Sequence, residues 1–410
     1  MAEFNPQILV IRDQEEAEKK LALVECSSMG AKKMAKKARH YCIQLENISS
    51  PMALILKQEM LAIGGETAIP AKALTNEVKK GRVILMGTYQ QFEELAEKLK
   101  PQPFKLSKLG EELLKLIQGF ERKRFSLELP NGTLELGEKP ILMGILNLTP
   151  DSFYDGGRYN NPEQALKRVE EMVEGGAEII DIGGESTKPD SEPVSLDEEF
   201  RRVMPVLERI KSRIGKAIIS IDTQKSEVAK RAVDYGASII NDISALGTEP
   251  KIAKVAGEKK AGLVLMHIKG TPKDMQMNPS YEDLFGEVIG FLRERMRKAM
   301  DAGVEEEKII VDPGIGFGKT VEHNLELIRD LWRLRCLGRP ILLGPSNKSF
   351  IGRVLKVEKD DRFEGTAASV VAGILAGADI IRVHEPGRMK RFAIMAGAIR
   401  AGKENLGLKE

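Results

Sequence analysis

From residue 140 to near its end, this chain repeats one pattern eight times: a short apolar run, then a helix-length amphipathic stretch, with small or charged residues at the joins. The runs fall at 141–148 (ILMGILNL), 178–184 (EIIDIGG), 217–223 (AIISIDT), 238–243 (SIINDI), 263–268 (LVLMHI), 308–314 (KIIVDPG), 340–346 (PILLGPS) and 379–385 (DIIRVHE). Runs such as IIVD and ILLG are apolar on both faces, as strands of a parallel sheet covered by helices must be. The stretches between them, among them PEQALKRVEEMVEGG and YEDLFGEVIGFLRERMRKAMDAG, carry a helical period. Several end in Gly, which enters the left-handed conformation at helix C-termini without a steric penalty. Eight consecutive βα units over residues 141–401 match the roughly 250 residues of a closed barrel. The predicted fold class is α/β, a (β/α)8 TIM barrel. A doubly wound open sheet is the runner-up, and eight units in a row favour closure.

Two segments precede the barrel of residues 140–410. Residues 121–139 hold RFSLELPNGTLELG, two alternating stretches around Asn131-Gly132. That dipeptide favours a type I′ hairpin turn, and the hairpin is expected to cap the bottom of the barrel. Residues 1–120 read as a smaller α+β domain. Its expected elements are a strand at QILVIRD, Lys-rich helices at EEAEKKLALVE and AKKMAKKARHYCIQL, a strand at GRVILMGT, and helices at YQQFEELAEKL and GEELLKLI. Its sequence assigns it no role.

Charge narrows the partners. Lys plus Arg number 63 against 61 Asp plus Glu, a net charge of +2, which argues against nucleic acid or an anionic membrane. The AKKMAKKAR run reads as a solvated helix face. Cys26, Cys42 and Cys336 are too few and scattered for a disulfide framework or a thiolate metal site. The N-terminus has no basic-then-apolar signal pattern, and no run approaches the roughly 20 apolar residues of a membrane span. A cytoplasmic protein with small-molecule substrates is the expectation.

In a (β/α)8 barrel, active sites are built at the C-terminal ends of the strands. Here those ends read Asn147 then TPDSFYDGG, Gly183 to Thr187, Asp222-Thr223, Asn241-Asp242, Met266-His267, Asp312-Pro313-Gly314, Ser346 to Ser349, and Arg382-Val383-His384. One polar residue at a strand end is commonly a helix cap. Polar groups at all eight are a site. Asp222, Asn241 and Asp312 offer acceptors, with an amide that also donates, and suit a flat heterocycle edged with amino and ring N–H groups. Lys348 and Arg382 add positive charge, and a guanidinium stacks on aromatic rings or grips phosphate oxygens. The side-chain carbonyl of Asn147 is a hard oxygen suited to Mg²⁺, which bridges substrate phosphates. The ligand implied is a nitrogen heterocycle bearing a phosphate or diphosphate.

ILMGILNLTPDSFYDGG, IIDIGGEST, SIDT, IINDI, LMHIKGTPKDMQ, DPGIGFGK, SNKSFIG and IIRVHE, taken in order, resemble the successive signatures of the dihydropteroate synthase family. The resemblance runs from about Pro140 to the C-terminal helix. It implies an enzyme joining 4-aminobenzoate to 6-hydroxymethyl-7,8-dihydropterin diphosphate, with Mg²⁺ present, to give 7,8-dihydropteroate and pyrophosphate. It implies that Asp222, Asn241 and Asp312 hold the pterin edge with Lys348, that Arg382 lies against the pterin face, and that Met266 packs on the other side. Asn147 contacts the metal and the diphosphate, with Arg382 and His384 on phosphate oxygens. Asp222, Asp312, Lys348 and Arg382 make up the catalytic set. Thr187, Pro189, Phe317, Lys348 and Ser349 match positions bordering the aminobenzoate pocket. Phe153, Asp155 and Lys188 fall on two loops that are mobile in the family and order over the substrates. The family's habit also implies a homodimer packed through outer helices of the C-terminal half. His267 reads as a hydrogen-bonded barrel residue outside this set.

The sequence departs from the family's commonest bacterial form twice. Lys188 stands where an Arg usually precedes the loop proline, and Asn347 where the S-R-K-S loop has its Arg. Losing a forked guanidinium at both places removes bidentate contacts. Either another group compensates, or the second substrate is a modified arylamine, as in a methanopterin-type pathway. A methyltetrahydrofolate-binding methyltransferase is the nearest other enzyme, but it has no need of the S-x-K-S loop, the R-V-H ending or the TPDSF loop.

Overall fold

The computed structural model describes residues 4–5, 7–75, 77, 79–149, 162–186 and 192–402. The chain divides into two compact units, Met1–Glu121 and Arg122–Glu410.

The first unit contains helices α1 (Gln14–Ala22) and α2 (Ser28–Ala35), strand β1 (His40–Ile48), α3 (Ser50–Ala62), strands β2 (Glu66–Ala68) and β3 (Gly81–Thr88), α4 (Tyr89–Leu99) and α5 (Leu106–Glu121). Its sheet is antiparallel in the order β1-β3-β2. Leu56 and Met60 of α3, Leu85 of β3, and Phe92 and Leu95 of α4 form its core. A capping box, Thr88 with Gln91, starts α4 where β3 ends. Two expectations fail here. QILVIRD joins no sheet, and Ile8 and Val10 stand 94% and 76% exposed; an apolar run that packs into no core gains nothing from burial and need not form a strand. HYCIQL is strand and not helix: α2 stops at Ala35, and β1 alternates exposed and buried side chains with the two-residue period of a half-buried strand.

The second unit begins with a hairpin, β4 (Phe125–Leu129) and β5 (Gly132–Leu136). Leu129 pairs with Gly132, so the turn residues are Pro130 and Asn131, one position before the expected pair. Proline's fixed φ suits the first corner of a turn and draws the corner toward it, while Gly132 takes the positive φ of 138°. The Asn131 amide donates to Gly236 O (2.9 Å) and Ser238 Oγ (3.1 Å), tying the hairpin tip to the barrel.

The barrel strands are β6 (Ile141–Asn147), β7 (Ile179–Gly183), β8 (Ile218–Asp222), β9 (Ile239–Asp242), β10 (Gly262–Met266), β11 (Ile309–Asp312), β12 (Leu342–Leu343) and β13 (Ile380–Val383). The helices among them are α6 (Pro162–Glu174), α7 (Leu196–Ile210), α8 (Ser226–Asp234), α9 (Lys251–Lys259), α10 (Leu284–Asp301), α11 (Val321–Arg329), α12 (Ser349–Leu355), α13 (Phe363–Leu375) and α14 (Pro386–Ala401). The parallel strands run in the order β11-β10-β9-β8-β7-β6-β13-β12. A parallel bridge from Val311 to Ile341, with Val311 N donating to Pro340 O at 3.0 Å, joins the two ends of that order. The sheet is a closed (β/α)8 barrel.

Inside it, side chains stack in layers because successive residues of a strand point to opposite faces. Met143, Ile179, Ile239, Val264, Ile310, Leu342 and Ile380 form one apolar cluster with Phe125, Leu127, Leu129, Leu134 and Leu136 of the hairpin. Hydrocarbon closes the lower end. Two residues further along the same strands come Asp181, Asn241, Met266, Asp312, Gly344 and Arg382. The interior turns polar within one strand period.

Candidate active site

That polar layer opens into a pocket lined by Asp222, Asn241, Ile243, Met266, Asp312, Ile315, Phe317, Gly344, Lys348 and Arg382. The guanidinium of Arg382 organises its floor. Nε donates to Asp181 Oδ2 at 2.6 Å and Nη2 to Asp222 Oδ2 at 2.7 Å. Asp181 Oδ2 also accepts from Asn241 Nδ2 at 2.9 Å. On the opposite wall, Asp312 Oδ1 accepts from Gly314 N at 2.6 Å. Gly314 has φ +68°, and a Cβ there would collide with the carbonyl oxygen of His267, so only glycine lets this loop turn so close to β10. Lys348 is the N-cap residue of α12 but makes no side-chain cap bond. Its ammonium lies over the ring of Phe317, 4.1 Å from the centroid.

Burial sets the charge states. It pushes Asp312 up to about 6, against the pull of the Gly314 N–H and the Lys348 ammonium. Burial also raises Asp222, with Arg382 opposing and the neighbouring carboxylates of Asp181, Glu199 and Asp242 adding to the rise. Lys348 is brought down to about 8 by burial and by Arg382. Because burial disfavours their charged form, these carboxylates gain from a cation or a cluster of N–H donors placed against them.

Two charged clusters brace the pocket from outside. Lys225 pairs with Glu185 and, at 2.7 Å, with the fully buried Glu199, whose other oxygen accepts from Thr223 Oγ1 at 2.6 Å. Lys319 Nζ lies 2.9 Å from His267 Nδ1 and 2.8 Å from Phe317 O, with both side chains buried. Burial and the adjacent Lys319 hold His267 down at about 2, a neutral ring that accepts from the lysine.

Of the residues singled out in the sequence, Asp222, Asn241, Met266, Asp312, Phe317, Lys348 and Arg382 meet in this pocket. Asn147 stands half-buried at the end of β6, and His384 lies one residue beyond β13 with Nδ1 2.9 Å from Ser346 Oγ. Ser349 is exposed at the first position of α12, next to the lining residue Lys348 and not itself among the lining residues. Phe153, Asp155, Thr187, Lys188 and Pro189 lie outside the described residues. Asn347 takes a left-handed φ of 56°, which Asn tolerates better than Arg. Its carbonyl oxygen accepts from Arg362 Nη1 at 3.1 Å, so a guanidinium still reaches this loop from elsewhere in the chain. Sequence reasoning missed Asp181. The available signal was a charged residue on the inward face of an otherwise apolar strand.

Comparison with known proteins agrees with this geometry. A family model for pterin binding enzymes matches residues 143–384, which makes the chain a pterin-binding barrel. Dihydropteroate synthase of Bacillus subtilis is 48% identical over 266 residues, 65% of this chain and 90% of that protein. The crystal structure of Yersinia pestis dihydropteroate synthase in a sulfonamide drug complex superposes with a TM-score of 0.65 at 40% identity, covering 68% of this chain and 100% of that one. The chain belongs to the dihydropteroate synthase family, transferases of folate biosynthesis. A Halobacterium salinarum protein described as a probable bifunctional folylpolyglutamate synthase/dihydropteroate synthase is 38% identical over 375 residues, 92% of this chain and 45% of that protein. That alignment leaves out too few residues to skip the N-terminal unit.

Proposed function

We propose that this chain condenses 6-hydroxymethyl-7,8-dihydropterin diphosphate with 4-aminobenzoate, forming 7,8-dihydropteroate and pyrophosphate. The observation that carries the reading is the convergence of Asp222, Asn241, Asp312, Lys348 and Arg382, from separate strand ends, on one pocket. In this reading Asp222, Asn241 and Asp312 take the hydrogen-bonding edge of the pterin, with Lys348 beside them, Arg382 against the ring face and Met266 packed opposite. The C–O bond to the diphosphate breaks with its electron pair leaving on oxygen. The amine lone pair of 4-aminobenzoate then forms the new C–N bond, and its proton goes to solvent. Asp312 and Asp222 stabilise the cationic pterin between those events, while Arg382 and His384 hold the departing anion. Phe317, Lys348, Ser349, Thr187 and Pro189 border the arylamine in this reading, and Phe153, Asp155 and Lys188 belong to the two loops that order over the substrates in the family.

Mg²⁺ is the metal this reading implies. Among the described residues no group of three or more His, Cys, Asp or Glu side chains could hold a metal ion. The side-chain carbonyl of Asn147, a hard oxygen, is the protein group that would hold the metal. There it would supply charge neutralisation to the leaving diphosphate.

The assembly proposed is a homodimer. Leu375 of α13 and Phe392, Ile394, Met395 and Ile399 of α14 are 41% to 62% exposed, an apolar outer face that a second copy would cover. The proposed location is the cytoplasm. No helix among the described residues is long and apolar enough to cross a membrane, and Cys26, Cys42 and Cys336 are free thiols.

The test is pyrophosphate release from the pterin diphosphate, with and without 4-aminobenzoate. Release that depends on the arylamine, with dihydropteroate formed, is the expected result. Binding of the pterin diphosphate with no release would sink the assignment.

A further inference from the structure

Asp181, on β7, has no exposed surface and belongs to the polar layer from which the pocket opens. Its Oδ2 accepts two hydrogen bonds, from Arg382 Nε and from Asn241 Nδ2. Both donors line the pocket, and Asp181 itself does not. Its other oxygen has no hydrogen-bond partner among the described residues, and neither has Oγ of Ser220, the residue beside it on β8. A carboxylate inside a barrel costs stability unless its bonds are good, and an apolar residue there would extend the layer below. Asp181 caps no helix. Its observed bonds both end on residues that face the ligand.

We propose that Asp181 is a positioning residue that fixes the amide of Asn241 and thereby decides which donor and acceptor pattern the pocket takes. The inference rests on the pterin reading above. A carboxylate paired with a guanidinium is acceptor-only, so it holds the NH₂ end of Asn241 toward itself. One amide N–H and the carbonyl oxygen are left for the ligand, in one fixed order. The two ends of a carboxamide are nearly the same shape, so an Asn without such a partner can turn over and present the reverse order. A pterin shows a ring-nitrogen acceptor beside an amino donor at its N1–C2 edge. A lumazine, with carbonyl in place of that amino group, shows N–H beside oxygen, the reversed pattern. Asp181 therefore selects 2-aminopteridines over 2-oxopteridines without touching either. The same oxygen holds Arg382 on one side while Asp222 holds it on the other at 2.7 Å, so the guanidinium is set by the same anchor.

The experiment titrates the full-length chain with 6-carboxypterin and 6-carboxylumazine, in wild type, Asp181→Asn and Ser220→Ala, following binding by calorimetry. Wild type is expected to prefer the pterin. Asp181→Asn can donate to the Asn241 carbonyl and free the amide to turn, so its pterin-over-lumazine ratio should fall by about tenfold or more. Ser220→Ala removes an unbonded hydroxyl from the adjacent strand and should keep the wild-type ratio. If Asp181→Asn fails to fold, Asp181→Ser, neutral and able to donate or accept, gives the same readout. Equal weakening of both ligands would make Asp181 a strut and overturn the proposal. A wild type that does not discriminate would instead overturn the pterin reading itself.

Discussion

The two ends of this barrel are made by the same strands and differ by one step of the strand period. At the lower end Ile179, Ile239, Val264, Ile310 and Ile380 meet the hairpin in continuous hydrocarbon. Two residues on, the same faces carry Asp181, Asn241, Met266, Asp312 and Arg382. The lower layer removes apolar surface from water and stabilises the fold. The upper layer buries ionisable groups, and the raised Asp312 and Asp222 record what that burial costs. Stability and function are thus separated along the barrel axis, and substitutions at the two ends should fail in opposite ways.

The largest effect is expected at the top. Asp312→Ala should lower the rate of pyrophosphate release by about 10²–10³-fold, with no fall in melting temperature. A variant that loses stability in proportion to activity would break the comparison. At the bottom, Leu127→Ala, in a fully buried position of the hairpin, should cost about 2–5 kcal/mol in denaturant unfolding and leave kcat near wild type. A smaller effect sharpens the contrast through pH. Asp312 has a folded-state pKa of about 6 against an unfolded value of 3.8. A raised value means its stabilising contribution is complete below the unfolded pKa and is lost as pH rises through the folded one. Wild type should therefore lose on the order of 2 kcal/mol relative to Asp312→Asn between about pH 4 and 7, measured by unfolding at each pH. The smallest effect is Asn131→Ala, which removes two hydrogen bonds at the hairpin tip. It should cost about 1 kcal/mol, and activity should not change.

Legibility followed the same line. The barrel strands were readable because runs such as IIVD and ILLG are apolar on both faces, a demand that only a covered parallel sheet makes. The pocket residues were readable because each follows such a run. The first unit was harder. QILVIRD has the composition of a strand but leaves its apolar side chains exposed, and HYCIQL continued a helical charge pattern that α2 does not follow. The hairpin turn slipped one residue because Pro130 outweighed Asn131-Gly132. Asp181 was passed over because within EIIDIGG it looks like one charge in an apolar strand. Its partners are 60 and 201 residues away in sequence.

The order of βα units, the alternation that sends every second strand residue inward, and the polar residues at the strand ends are all written along the chain. These are local properties, set by side-chain type and a period of two. Tertiary structure decided the closure at Val311 and Ile341, the sharing of one Asp181 oxygen between Asn241 and Arg382, and the displaced charge states of Asp312 and Lys348. Each depends on burial and on partners brought from distant strands, and neither exists until the barrel has closed around them.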